Sequence, residues 1–356
     1  MTDERQASSA PPVREWIAEN LAQGVSQEAL FSSLLQVGVA PEVARAELEA
    51  AAAHPAVRKV SRHLPHRVRL KSLLDTYSAL YRQSPEAQGV ERRARLDPVE
   101  FFERYYFQNR PVVIEGLLED WPALRHWSPR FFADRYGDAQ VEVMAGRDAE
   151  DQPDLHVSRL RTSLSMREYA ARIEAARETN DIYMVARNSL LKREAFQPLL
   201  EDIRPPKGFI RPDVHVPDSV HLWFGPAGTW AALHHDHLNV LFCQVLGRKR
   251  FRLIPSFELP RAYNHQGLYS AVDPRTPDPA RFPEFQRATV LDFVVGPGDA
   301  LLIPVGWWHA VQALDVSISV TFVSFDLPER NTYWRNCWIG PDPDREGAAM
   351  RKVETP

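Results

Sequence analysis

The sequence is short of cysteine, of long apolar runs and of excess charge, and each shortage removes a class of protein. Cys243 and Cys337 are the two cysteines in 356 residues, far apart and without a CxxC pair. A disulfide framework or a cysteine-rich zinc module is therefore not available. Cys243 lies in the apolar run 240–245 and is expected to be a buried free thiol. No stretch approaches the ~20 apolar residues that span a bilayer. The N-terminal MTDERQASSAPPVREW carries acidic and polar groups in place of an apolar signal core, so the expectation is a cytoplasmic chain with no membrane partner. A net charge of −4 gives no support to nucleic-acid binding driven by bulk charge. What is present, 44% hydrophobic and 25% charged residues, suits a globular protein with one large domain and a smaller appendage.

Residues 1–12 are polar and rich in Ser, Ala and Pro, and are expected to be disordered. Over 13–54, three apolar stripes recur at helical spacing: Trp16, Ile17 and Leu21; Ala29, Leu30, Leu34 and Leu35; Val43, Ala44 and Leu48. Gly24 and Gly38 separate them and Ser26 is placed to cap the second. The pattern predicts a small three-helix bundle resembling ubiquitin-associated modules, either a decoration or a docking element for a partner. Residues 55–96, basic at first, are expected to be a helical linker. From 97 to 330 the pattern predicts one mainly β domain. A helix over 101–106, a strand over 110–114, a helix over 129–136, a strand over 141–144 and a helix over 164–176 come first. Strands then follow over 182–186, 220–224, 238–246, 249–254, 290–295, 300–303 and 309–325. Many short strands with Gly/Pro turns argue for an antiparallel sandwich or barrel. Residues 331–356, with Trp334, Trp338 and several prolines, are expected to form a short packed tail.

The chemistry centres on Leu233-His234-His235-Asp236-His237. Residues two apart on a strand share a face, so His234 and Asp236 point together and His235 and His237 point the other way. An imidazole beside a carboxylate supplies two arms of a two-His-one-carboxylate triad, which holds Fe(II) and leaves three positions open. His309, after a Gly-Pro-Gly-Asp turn and a Pro-Val-Gly-Trp-Trp corner, is the candidate third arm. On 247–253, Lys249 shares parity with Phe251 and Leu253 while Arg248, Arg250 and Arg252 face away. A lysine aimed into an apolar interior is costly unless an anion meets it. The far carboxylate of 2-oxoglutarate, whose keto-acid end chelates iron and leaves a place for O₂, fits that need; a lysine snorkelling out at a strand end is the plainer alternative.

His234-His-Asp236, Gly-Arg-Lys249-Arg and Gly-Pro-Gly-Asp…Ile-Pro-Val-Gly-Trp-Trp-His309 resemble the JmjC and cupin-like 2-oxoglutarate oxygenases. The resemblance runs from about 97 to 326 and is nearest to the branch holding the asparaginyl hydroxylase of hypoxia-inducible factor and bacterial cupin-like relatives. It implies a double-stranded β-helix (jelly roll) with helices outside, and Fe(II), 2-oxoglutarate and O₂ as cofactor and cosubstrates. Carried over by position, it implies His234, Asp236 and His309 as iron ligands, Lys249 as the 2-oxoglutarate anchor, and Tyr183 and Thr321 as further cosubstrate contacts. Ser317, Ser319 and Thr321 share parity and form either a polar inner wall or a hydrated outer face. Two positions depart from the branch: Ala231 stands where it often has Ser or Thr, and Val240 where it favours Asn. Asn239 is one place early and by parity points outward unless a bulge re-aims it. The implied activity is hydroxylation of a C–H bond, foremost on a protein or peptide side chain, with succinate and CO₂ as co-products. Trp307 or Trp223 are candidate exposed aromatics at the mouth. Demethylation, hydroxylation of a tRNA base or of a small molecule, and a non-oxidative metal-binding cupin are the alternatives.

Overall fold

The computed structural model describes residues 13–23, 25–176, 178–186, 190–212, 219–328, 331 and 333. The expectations for 1–12 and for most of the 331–356 tail, including Trp334, Cys337 and Trp338, lie outside the described residues. The chain divides into two compact units, Met1–Tyr77 and Ser78–Pro356. Among the described residues, no helix is long and apolar enough to cross a membrane.

In the first unit, α1 (Val13–Gln23), α2 (Gln27–Gln36) and α3 (Pro41–Ala53) bury Ile17, Leu21, Leu30, Leu34, Ala44 and Leu48 against one another. Ser26 caps α2, its Oγ accepting from Ala29 N at 3.2 Å. Gly38, at φ +86°, ends α2 in the left-handed turn that lets Val39 N reach Leu34 O. Leu35 and Val43, expected in the stripes, are exposed instead. The long helix α4 (Pro55–Tyr81) follows, with Pro65 inside it.

The segment expected to be a helical linker over 55–96 is not helical throughout. After α4, β1 (Glu91–Ala94) pairs in parallel with β2 (Val112–Glu115) and enters the main fold. Its sequence, Glu-Arg-Arg-Ala, has no apolar alternation to betray a strand. Ion pairs hold it at the sheet edge: Arg92 to Glu115 and Asp299, and Arg93 to Glu100. A small sheet in the order β4-β3-β5 comprises β3 (Gln140–Ala145), β4 (Arg161–Ser165) and β5 (Ile182–Tyr183). The helix expected to start at 164 begins at Met166, because Ser165 caps it through Glu168 N.

Ten more strands complete the unit: β6 (Val220–Gly225), β7 (Trp230–His235), β8 (Val240–Leu246), β9 (Lys249–Ile254), β10 (Asn264–Gln266), β11 (Tyr269–Ser270), β12 (Leu291–Val295), β13 (Ala300–Ile303), β14 (Trp308–Ala313) and β15 (Ser317–Phe322). One sheet runs β1-β2-β13-β8-β15-β6, the other β10-β11-β7-β14-β9-β12. These are the two sheets of a jelly roll with helices packed outside. The run expected as a single strand over 309–325 is two strands in different sheets. The chain crosses between them at Leu314–Val316, where Leu314 N bonds Arg248 O and the Asp315 carboxylate takes the Arg248 backbone N–H and guanidinium.

Alternation along β8 divides an unbroken apolar run between two cores. Val240 and Phe242 pack between the sheets with Phe251, Leu253 and Val295. Leu241, Cys243 and Val245 pack outward with Phe101, Phe132 and Tyr169, so Cys243 is a fully buried free thiol. On β15, Ile318, Val320 and Phe322 belong to that outer core, which turns Ser317, Ser319 and Thr321 inward. Gly247 (φ +69°) makes the β8–β9 turn, and a Cβ there would sit 2.1 Å from Val316 O.

Candidate metal and cosubstrate site

His234 on β7 pairs directly opposite His309 on β14, and Asp236 lies one residue beyond β7. One side-chain ligand atom from each of the three lies within 4.8 Å of the others. The imidazole centroids are 4.1 Å apart and His309 Nε2 is 3.7 Å from Asp236 Oδ2. Both histidines are oriented alike. His234 Nδ1 is 2.7 Å from Ala232 O and His309 Nδ1 is 3.0 Å from Trp307 O. A carbonyl only accepts, so each Nδ1 carries the proton and each Nε2 keeps a lone pair for a metal. Burial, with the His234 imidazole beside it, pushes the pKa of His309 down, which favours the neutral ring. Two imidazoles and one carboxylate, clustered on one side of a strand pair, match the donor set of Fe(II) sites with open positions. His235 is not part of the cluster: it is buried on the opposite face against Trp308, at 4.6 Å between centroids.

The corner before His309 is braced from two sides. Asn109, at φ +52°, donates from Nδ2 to Val305 O and accepts from the Trp307 indole N–H. Asn239 accepts from Val305 N at 2.8 Å, and Gly306 N bonds Asp236 O. Trp307 is not an exposed aromatic but is 2% exposed with its N–H occupied. Asn239 does not point outward, because it lies before β8 begins and strand parity does not govern it; Asn331 bridges it to Val323 O.

Lys249 faces the interior and is 2% exposed. Its Nζ lies 2.9 Å from Ser319 Oγ and 3.2 Å from Tyr183 Oη, over the rings of Tyr183 and Phe242. Burial pushes its pKa down to about 7, and no carboxylate among the described residues offsets that cost. An amine buried among hydroxyls, with no described ion pair of its own, fits the far carboxylate of a dicarboxylic acid. Burial raises the Tyr183 phenol well above its usual range, so it stays a hydroxyl able to donate.

The three inward hydroxyls of β15 have separate partners. Ser317 meets Gln244 Nε2, Ser319 meets Lys249, and Thr321 Oγ1 accepts from Trp223 Nε1 at 3.3 Å. Trp223 is half-buried, 6.1 Å from the Tyr183 ring. Ala231 and Val240 offer only carbon, so the polar lining near the lysine comes from Tyr183 and Ser319. Ser319 was visible only as one member of a parity set. His221, opposite Thr321 on β6, carries no motif in the sequence, yet its outward neighbours Val220 and Leu222 turn it inward, and burial lowers its pKa.

Comparison with known proteins gives a match to the cupin-like domain family over residues 98–323, more than half of the chain. Lysine-specific demethylase 8 of Xenopus tropicalis is 30% identical over 62% of this chain and 49% of its own length. Human bifunctional peptidase and (3S)-lysyl hydroxylase JMJD7 is 28% identical over 65% of this chain and 83% of its own. tRNA wybutosine-synthesizing protein 5 of Danio rerio is 25% identical over 73% and 82%. The chain spans about half the length of several of the curated relatives it matches, among them that demethylase and lysine-specific demethylase JMJ30 of Arabidopsis thaliana.

Proposed function

This chain belongs to the cupin-like (JmjC) domain family, and from that premise we propose that it is an Fe(II)- and 2-oxoglutarate-dependent dioxygenase that hydroxylates a C–H bond on a protein or peptide side chain. The observation that carries the reading is the pairing of two features in one inter-sheet space. A His-Asp-His cluster offers two Nε2 lone pairs and a carboxylate, and a buried lysine stands among hydroxyls with no carboxylate partner among the described residues. A non-oxidative cupin has use for the first and none for the second.

In this reading His234, Asp236 and His309 hold the iron. Bound there, the iron supplies oxidation of a C–H bond coupled to decarboxylation of 2-oxoglutarate, yielding succinate and CO₂. The protein's own part is binding, orientation and exclusion of water. Lys249 takes the far carboxylate of the cosubstrate, with Tyr183 adding a hydroxyl donor and Ser319 holding the ammonium in place. Thr321 keeps the Trp223 indole fixed along the wall. The described residues at the site are assigned binding and positioning roles and none is assigned as a general base, because the bound iron would supply the C–H chemistry.

A protein substrate draws support from relatives named as lysine demethylases and a lysyl hydroxylase, and the relative named for tRNA wybutosine synthesis keeps a nucleic-acid substrate as the second reading. Demethylation is the same hydroxylation applied to an N-methyl carbon. The test is incubation of the full chain with Fe(II), 2-oxoglutarate, O₂ and a peptide library, reading succinate, product mass and formaldehyde. A gain of one oxygen supports hydroxylation, and formaldehyde supports demethylation. Absence of 2-oxoglutarate turnover, with metal bound, would sink the oxygenase reading.

A further inference from the structure

β7 carries His234 and its two edges are paired unequally. β14 lies along one, with a bulge between the Val311–Ala231 and His309–His234 pairs, and the other is mostly without a strand. On that second edge, β11 meets β7 at His234 alone, through Tyr269, with His235 N bonding Leu268 O nearby. The first half of that edge, at Trp230 and Ala232, would leave backbone groups without partners. Side chains stand there instead. Trp230 N donates to Asn180 Oδ1 at 2.8 Å, and Trp230 O accepts from Arg147 Nη2 at 2.6 Å. Ala232 N donates to Asp154 Oδ2 at 2.8 Å, and Ala232 O takes the Nδ1–H of His234. These are the alternate backbone groups that a neighbouring strand would have bonded.

Arg147 is the hub and is 0% exposed. It donates to Asp154 Oδ1 at 3.0 Å and to Asn180 O at 3.1 Å, and its guanidinium lies 5.6 Å from the centre of the Tyr183 ring. A guanidinium so enclosed is tolerable because Asp154 matches its charge and its fork geometry is filled. The same side chain therefore touches both the strand that carries His234 and the tyrosine beside Lys249.

We infer that Arg147, Asp154 and Asn180 form a side-chain splint that replaces a missing strand along β7 and so sets the His234 ring for metal binding. They are positioning residues and contribute no ligand atom. Asp154 fixes the peptide N–H of Ala232, the Ala232 carbonyl then holds Nδ1–H, and Nε2 is left free toward Asp236 and His309. The metal-binding part of this inference rests on the reading proposed above.

The experiment uses the full chain as wild type, Asp154→Ala, Asp154→Asn and Asn180→Ala. Co(II) titration is followed in the visible, and the tautomer of His234 is read from its ring nitrogens by NMR. Asp154→Ala is expected to bind Co(II) more weakly, by up to the ~10–100-fold that follows loss of a direct partner of a metal ligand, since Asp154 acts one bond further out through Ala232, and to lose the pure Nδ1–H tautomer. Asp154→Asn keeps an oxygen for Ala232 N and is expected to recover most of both. A folded Asp154→Ala with lowered thermal stability but wild-type Co(II) affinity and tautomer would overturn the inference and leave a merely structural network. If Asp154→Ala does not fold, Asn180→Ala carries the same test. If the wild type binds no Co(II), the oxygenase reading fails, and the tautomer spectra alone decide the splint.

Discussion

At the His-Asp-His end of the inter-sheet space, each histidine gives its Nδ1–H to a carbonyl two residues back on its own chain segment. At the lysine end the partners come from far away: Tyr183 from β5 and Ser319 from β15, across separations of 66 and 70 residues. The first end takes its ring contacts locally; the β7–β14 register brings its halves together, and distant side chains at Arg147, Asp154, Asn180 and Asn109 brace the backbone around it. The second exists only once three strands have assembled, and it holds a charge at odds with its surroundings. The difference predicts that the two ends fail differently: damage to the first removes a ligand set, while damage to the second relieves a cost.

The largest effect should come from His309→Ala. Loss of one of three ligands is expected to reduce metal affinity by about 100-fold or more and turnover to background, read by metal titration and succinate release. Retained turnover would break the assignment of that end. Lys249→Met should weaken 2-oxoglutarate by about 100-fold, since a charge-assisted contact contributes about 1.5–3 kcal/mol, while metal affinity holds. Its fold should be no less stable than wild type, because an apolar side chain replaces an amine whose burial is uncompensated. A large drop in thermal midpoint would show that the lysine end is structural.

The pH dependence sharpens the contrast. With its folded pKa lowered to about 7, Lys249 is mostly neutral in the free protein above that pH, whereas 2-oxoglutarate held as proposed would require the ammonium. Binding then takes up a proton, and the dissociation constant should rise up to about tenfold per pH unit above 7. The free protein's stability moves the other way. Between about pH 7 and the ordinary lysine value the unfolded chain binds more protons at this site, so this group's contribution rises with pH. Calorimetry in buffers of different ionisation enthalpy measures the uptake, which Lys249→Met should abolish. The smallest effect is expected of Ser319→Ala, about 3–10-fold in 2-oxoglutarate affinity for one neutral hydrogen bond. An unchanged affinity would remove Ser319 from the site.

Most of the first end was legible because its cues are short-range: His234 and Asp236 share a strand face, and Gly306-Trp307-Trp308-His309 marks a corner. Lys249 was legible by parity for the same reason. What escaped depends on long-range meeting. Arg147 follows Gly146 in a polar stretch with no period, and nothing local says that Asp154 and Asn180 will enclose it. Asn109 becomes a brace only because its left-handed backbone turns its amide toward Val305 and Trp307. The charged strand β1 defeats any search for apolar alternation. The 309–325 run looked continuous because the β14–β15 crossing is made by one aspartate and the backbone, without a glycine or proline to mark it.

The tight β8–β9 turn has a consequence for how such a site can change over generations. Gly247 leaves no room for a side chain against Val316 O, and Arg248, Lys249 and Arg250 follow it in succession. Because strand faces alternate, inserting or deleting one residue in that turn would withdraw the lysine and present an arginine in its place. A compact ammonium would give way to a planar fork with a different preferred anion geometry. The same slip would carry Phe251 and Leu253 out of the inter-sheet core, so the turn length that sets the proposed anchor's register also sets the core's, and the two stand or fall together.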